Sequence, residues 1–263
     1  MTTLKGNGID IHYRVDGAAP GKPWVTLSHS LACDLTMWDE LAGALQNDYA
    51  VLRFDTRGHG ASAAPDGAYT FEQLTADVVG LLDGLGIVQT HFIGLSMGGM
   101  IGQHLALAAP QRVAKLVIAN STSRIPPEAG PLWQQRIDLV REQGCAGVEQ
   151  GTTARWLTPA FVAARPDAVA RIGGQIRRTP PAGYIGCASA IRTLDITARL
   201  GTIRTPTLVI VGADDPGTPP AMSETIAQAI PGARLAVIPE ASHLSNIEQP
   251  AAFYRLVTDF LKG

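Results

Sequence analysis

The 263-residue chain has too little cysteine for a disulfide framework: Cys33, Cys145 and Cys187 are odd in number, far apart and in no CxxC spacing. That excludes a stapled secreted scaffold and a cysteine-based zinc site, and makes three reduced thiols in a cytoplasmic protein the expectation. Neither sign of charge predominates. Lys+Arg total 21 against 23 Asp+Glu, a formal net charge of −2, so no global field exists to draw in a nucleic acid or an anionic membrane, whose affinity rests on clustered cations and counterion release. No apolar run approaches the ~18 residues of a membrane span, and the opening Met-Thr-Thr-Leu-Lys-Gly-Asn-Gly lacks the apolar stretch of a signal peptide. Neither GxxxxGK[ST] nor HExxH occurs. A phosphate loop and a metalloprotease-type zinc site are therefore unsupported, and neither metal nor cofactor is expected.

What is present is an alternation. Ile9–Val15 alternates apolar and polar, as a half-buried strand does, whereas Trp24–Ser28, Val51–Asp55, His91–Leu95, Leu116–Ala119 and Thr207–Gly212 are short and nearly continuous. Continuous runs indicate strands buried on both faces. Helical stretches lie between them: Met37–Leu45, Phe71–Leu85 capped by Thr70, and Gly98–Ala109 stopped by Pro110. The order predicts an α/β fold with a mostly parallel central sheet flanked by helices.

One stretch interrupts the alternation. Residues 122–199 are helix-like, with no convincing strand, and hold ten Arg, no Lys and six acids, a net +4 that leaves −6 on the rest. An insertion between sheet strands reads as a helical cap over the strand ends, where open α/β sheets bind ligands. Residues 1–121 and 200–263 form the expected core domain. A homo-oligomer is compatible with this composition.

The chemistry-bearing motif is His91-Phe-Ile-Gly-Leu-Ser96-Met-Gly-Gly, in which Gly94-x-Ser96-x-Gly98 lies between a buried strand and a helix. A serine at so sharp a turn is forced into strained dihedrals, and neighbours bearing a Cβ would collide there. The turn exposes the Ser96 hydroxyl and aims the Met97 N–H at the place where an oxyanion forms. An acid and a histidine should follow, each after a later strand. Pro206-Thr-Leu-Val-Ile-Val-Gly-Ala-Asp-Asp-Pro offers Asp214 and Asp215, and Leu235-Ala-Val-Ile-Pro-Glu-Ala-Ser-His243 offers the histidine. His243 would take and return the serine proton while the acid fixes its tautomer. Spacing alone leaves both aspartates open. The loop at His29-Ser30-Leu31 follows the first buried strand, and the Leu31 N–H is the expected second oxyanion donor. Gly58-x-Gly60-x-x-Ala63 has the spacing of a dinucleotide fingerprint, but Ala64-Pro-Asp-Gly67 follows where a helix is required. It reads as a structured turn braced by Asp55 and Arg57.

Together these residues resemble the α/β-hydrolase superfamily over essentially the whole chain. Family members carry the acid at the end of a Gly-x-x-Asp run, so Gly212-Ala-Asp-Asp215 implies Asp215. A narrower similarity is to bacterial 3-oxoadipate enol-lactonases of aromatic catabolism. It rests on His29–Trp38, Asp55–Ser62, Trp133-Gln-Gln-Arg136-Ile, Arg155-Trp-Leu-Thr-Pro159, Thr179–Cys187, Asp215–Pro220 and His243–Pro250. Two departures are mild: Met97 stands where such lactonases often have Leu, and Ser30 where many relatives have Gly. Met after the serine also occurs in C–C bond hydrolases and cofactor-free perhydrolases, which remain alternatives with a simple carboxylesterase. The resemblance implies a small anionic lactone substrate, opened through an acyl-enzyme on Ser96. Its free carboxylate needs a counter-charge, which the Arg-rich insertion offers. Arg136 lies one helical turn from Trp133, so both can face one pocket. Trp133 and Arg136 are the leading substrate-binding candidates, followed by Arg192 and Arg177.

Overall fold

The computed structural model describes residues 2–263; Met1, the first residue of the segment read above for a leader, lies outside them. Eight strands, β1 (Thr3–Gly6), β2 (Ile9–Asp16), β3 (Trp24–Ser28), β4 (Ala50–Phe54), β5 (Thr90–Leu95), β6 (Val113–Ala119), β7 (Thr207–Gly212) and β8 (Arg234–Ile238), make one sheet in the order β1-β2-β4-β3-β5-β6-β7-β8. The β1/β2 and β2/β4 pairs are antiparallel and the remainder parallel. The continuous apolar runs of β3 to β7 occupy the middle, where Val25, Leu27, Phe92, Ile93, Val117 and Ile210 are fully buried. Strand β8 is an edge and leaves Leu235 and Val237 exposed, although its sequence is as apolar as its neighbours'. Strand β1 was not foreseen. With Leu4 as its one large apolar residue it carries no periodicity, and it exists through its pairing with β2.

Six helices of the described residues lie outside the insertion, and three of them, α1 (Asp39–Leu45), α2 (Phe71–Gly84) and α3 (Met97–Ala108), come before it. The α2 cap is reciprocal, since the Thr70 hydroxyl accepts the Gln73 N–H at 3.2 Å and the Gln73 side chain accepts the Thr70 N–H at 3.0 Å. Between β6 and β7 come five helices, α4 (Gly130–Gln143), α5 (Ala146–Trp156), α6 (Pro159–Ala164), α7 (Pro166–Arg178) and α8 (Pro181–Arg192), and thereafter α9 (Pro220–Ala229), α10 (Ser245–Glu248) and α11 (Pro250–Lys262).

The inserted helices are seated on the core by close backbone approach. Gly58 has φ +80°, and a Cβ there would lie 2.3 Å from the Cα of Gly183 at the start of α8. The Tyr69 N–H donates to Gly186 O at 3.1 Å, and the Gln175 amide of α7 donates to Asp34 and Thr36 at 3.0 and 2.7 Å. The Asp55–Ser62 turn beneath this seam is internally braced. Asp55 accepts the Leu35 and Ala61 N–H groups at 2.7 and 2.8 Å, and Arg57 forms a bidentate pair with Asp77 of α2, both bonds at 2.7 Å. No helix of the described residues is long and apolar enough to cross a membrane.

Candidate active site

Strands β3 and β5 are neighbours whose following segments diverge in the chain, the place where an open parallel sheet leaves a crevice at its carboxyl ends. Ser96 sits there between β5 and α3, with φ +56° and ψ −116°. A non-glycine residue in this region costs of order 1–3 kcal/mol, and it persists where its surroundings over-determine it. Here the Ser96 N–H donates to Ala119 O at 2.8 Å, and the Ser121 hydroxyl donates to Ser96 O at 2.8 Å. The flanking glycines are obligatory: a Cβ on Gly94 would lie 2.1 Å from Gly98 O, and one on Gly98 would lie 2.1 Å from Ser28 O.

The segments after β7 and β8 bring an acid to a histidine. His243 Nδ1 lies 2.8 Å from Asp215 Oδ2, and both side chains are buried. Asp215 Oδ2 also accepts from the Asn120 amide at 3.0 Å and the Thr218 hydroxyl at 2.7 Å, while Oδ1 accepts the Gly217 and Thr218 N–H groups at 2.8 and 3.0 Å. Burial alone would raise the Asp215 pKa; the charge of His243 and the hydrogen bonds from His243, Asn120 and Thr218 outweigh it and hold the carboxyl well below the usual range. Asp214, the other aspartate that spacing allowed, is exposed. The unbonded face of the imidazole is covered by Trp156, with ring centroids 5.8 Å apart and planes at 23°.

Ser96, His243 and Leu31 line one cavity of about 250 Å³. The loop carrying Leu31 is fixed by two buried histidines. His59 Nε2 accepts the Ala32 N–H at 2.9 Å, and His29 Nε2 accepts the Thr56 N–H at 2.9 Å, so each ring must be neutral on that nitrogen. Burial, with the charge of His29 adding to it, pushes the His59 pKa down to about 3. Helix α3 begins at Met97, whose N–H belongs to the first turn and has no acceptor within the helix. Leu31 therefore lines the cavity that Ser96 enters, and Met97 follows the serine directly in the first turn of α3.

The inserted helices supply the rest of the lining, including Trp133, Arg136, Arg155, Trp156 and Tyr184. The Arg136 guanidinium lies 4.9 Å from the centre of the Trp133 ring. Arg155 reaches the Thr152 hydroxyl at 3.4 Å. Among the described residues neither arginine has a carboxylate partner, whereas Arg124, Arg141, Arg165 and Arg177 of the same segment all do. Burial lowers the pKa of both, and at Arg155 the nearby charge of Arg136 lowers it further. The guanidiniums remain charged, so the direction records the cost of burying them, with like charge adding to it at Arg155, a cost that an anion would relieve.

Two nominations from the sequence fail. Arg177 on α7 pairs with Glu149 of α5, and Arg192 at the end of α8 donates to Gln134; neither reaches the cavity lining. Their helical positions turn them toward neighbouring helices instead. Arg155 was missed as a binding candidate, since nothing in its spacing from Arg136 reveals that α4 and α5 converge; its place in the Arg155–Pro159 segment was the available signal. Asn120 was missed because it lies at the end of a strand with no motif around it. No group of three or more His, Cys, Asp or Glu among the described residues is arranged to hold a metal ion.

The chain is similar to known proteins over nearly its whole length. Residues 23–250 match the family described as alpha/beta hydrolase fold. The chain is 39 % identical over 260 residues to 3-oxoadipate enol-lactonase 2 of Acinetobacter baylyi, covering 99 % of this chain and 96 % of the relative. It is 35 % identical over 263 residues to 3-oxoadipate enol-lactonase 1 of the same organism, covering 100 % and 96 %. Among solved structures, the enol-lactonase from Burkholderia xenovorans LB400 superimposes with a TM-score of 0.96 at 40 % identity, covering 100 % of both chains. Agreement that runs through the inserted helices as well as the sheet places the chain without ambiguity: it is a hydrolase and belongs to the alpha/beta hydrolase fold family.

Proposed function

We propose that the protein opens the ring of 3-oxoadipate enol-lactone, a five-membered enol-lactone bearing a carboxymethyl group, to give 3-oxoadipate. Ser96 attacks the lactone carbonyl as His243 Nε2 takes its proton, and Asp215 holds the imidazole tautomer and stabilises the imidazolium. The Leu31 and Met97 N–H groups receive the charge that develops on the carbonyl oxygen. Collapse expels the ring oxygen as an enol, protonated by His243, and the enol becomes the 3-oxo group. The chain stays attached to Ser96 as an ester until water, activated by His243, releases the second carboxylate.

The observation that carries this reading is one cavity of about 250 Å³ holding both the Ser96–His243 pair and the acid-free guanidiniums of Arg136 and Arg155. An ester hydrolase for neutral substrates has no use for two confined cations. A small lactone with a free carboxylate does, and gains a charge-assisted, bidentate contact from either arginine. The relatives named as 3-oxoadipate enol-lactonases support the same substrate.

The test compares kcat/KM for 3-oxoadipate enol-lactone, followed by loss of its ultraviolet absorbance, with that for p-nitrophenyl acetate. A clear preference for the charged lactone is expected. Equal or inverted preference would leave a general carboxylesterase, and turnover of a vinylogous diketone in place of the lactone would make it a C–C hydrolase.

A further inference from the structure

Glu248 is a buried carboxylate that the proposed chemistry does not use. It closes α10, is 8 % exposed, and its bonding partners are all neutral. Its two oxygens face in two directions. Oε2 accepts the N–H of Ser242, the residue immediately before His243, at 2.5 Å. Oε1 accepts both the N–H and the hydroxyl of Thr158, at 2.7 and 2.8 Å, and Thr158 is the cap of α6 in the inserted segment.

The link is reinforced on both sides of the histidine. The Ser242 hydroxyl donates to Arg155 O at 3.1 Å, the Leu244 N–H donates to Trp156 O at 3.2 Å, and the Trp156 ring covers His243 itself. Each of residues 242–244 is therefore attached to residues 155–158. The same short segment brings the Arg155 side chain into the cavity.

We propose that Glu248 is a positioning residue that fastens the His243 loop to the inserted helices, so that the place of the imidazole depends on the seating of residues 155–158. This rests on the reading of His243 as the general base. Burying an ionisable carboxyl among neutral donors is an unfavourable arrangement unless both oxygens are satisfied, and a bridge between two loops satisfies them in a way that a single-loop cap would not. Glutamine is close in volume but has one acceptor oxygen. It can keep either the Ser242 or the Thr158 side, and it turns an NH₂ toward the donors of the other.

The experiment measures kcat and KM for Glu248→Gln, Thr158→Val and Thr158→Ser, with p-nitrophenyl acetate, which carries no carboxylate, and with the enol-lactone. His243→Ala serves as the reference for the base. Glu248→Gln should lower kcat about 10- to 100-fold on both substrates with KM within about threefold, the signature of a misplaced base rather than a lost binding contact. Thr158→Val, remote from the reacting atoms, should lower kcat about three- to tenfold on both, and Thr158→Ser, which keeps the hydroxyl, should restore it. Folding is followed by near-ultraviolet circular dichroism. A folded Glu248→Gln enzyme with wild-type kcat overturns the proposal, as does a loss confined to KM for the charged substrate. If Glu248→Gln does not fold, an unchanged kcat in Thr158→Val overturns it. Activity surviving in His243→Ala would remove the base assignment itself, whereas an inactive His243→Ala beside an unaffected Glu248→Gln removes the positioning role alone.

Discussion

The sheet-borne half of the cavity and the inserted helices are built by different means. Ser96 and Asp215 are held within the core, by a positive-φ turn between two glycines that admit no Cβ and by five hydrogen bonds to one carboxylate, and His243 is held by Asp215 with a further tie from its loop to residues 155–158. Arg136 and Arg155 are held by apolar and aromatic surroundings, with no acid to fix the guanidiniums. The first arrangement has its charges compensated within the chain. The second keeps its compensation for a ligand. On the proposed function chemistry falls to the core and substrate choice to the insertion, and the kinetic predictions below test that division.

The largest effect should come from the core. Ser96→Ala removes the proposed nucleophile from a turn that alanine occupies as readily as serine, so the fold should persist while kcat falls by at least about 10³-fold on charged and neutral substrates alike. Asp215→Asn, which leaves the His243 tautomer uncontrolled, should cost about 10⁴-fold in kcat. Steady-state kinetics on both substrates measures each. A loss that spared p-nitrophenyl acetate would mean that the core does not carry the chemistry.

Substitutions in the insertion should instead separate the substrates. Arg136→Ala and Arg155→Ala each remove a charge-assisted contact worth about 1.5–3 kcal/mol, so kcat/KM for the enol-lactone should fall about 10- to 100-fold while that for p-nitrophenyl acetate stays within about threefold. Equal losses on the two substrates would erase the division.

That contrast also governs what could be read from the sequence. Gly94-x-Ser96-x-Gly98 was legible because the turn imposes residue types at fixed spacing, and the buried strands because the middle of a parallel sheet demands unbroken apolar runs. Asp215 was separable from Asp214 only through a family resemblance, and the structure gives the physical difference, since one is buried under five donors and the other is exposed. In the insertion no backbone rule links position to role. Ten arginines announced a cationic segment, but which two face the cavity depends on how α4 and α5 pack, and a heptad-scale pattern does not encode that. Arg177 and Arg192 were plausible by composition and wrong by packing. Strand β1 was invisible because its pairing, not its residues, makes it a strand.

Acid stability offers a third contrast, one of stability and not of rate. All six histidines lie outside residues 122–199, and His29 and His59 are buried where they must accept N–H groups while neutral. Their pKa values are lowered by burial, that of His59 to about 3, while the unfolded value is about 6.5. The unfolded chain therefore binds more protons across that interval, and the stability these residues contribute is complete above about pH 6.5 and is lost as pH falls toward 3. His59→Gln keeps an acceptor for the Ala32 N–H without a group that titrates there. Between pH 7 and pH 4 its Tm should fall less than that of the wild type by several degrees. An unchanged pH dependence would place the acid sensitivity elsewhere, and a greater one would mean that the glutamine does not serve as the acceptor.

The smallest expected effect divides the insertion against itself. Arg177 shares the arginine-rich segment with Arg136 and Arg155, and composition gave no reason to treat it differently. Its guanidinium is half exposed and paired with Glu149 across the α5/α7 contact, so it neither confines charge in the cavity nor awaits an anion. A surface pair of this kind contributes about 0–1 kcal/mol. Arg177→Ala should lower Tm by no more than about 2–4 °C and leave kcat/KM for the enol-lactone within about twofold of wild type. The alternative is that the segment acts through its summed charge, steering the anionic substrate over a distance. In that case Arg177→Ala would slow the charged lactone as much as Arg155→Ala does, and added salt would diminish both losses, since exposed charges are screened within about 10 Å at 0.1 M ionic strength. Comparing the two variants on the lactone at low and at high salt decides between a contact made by two particular arginines and a field made by ten.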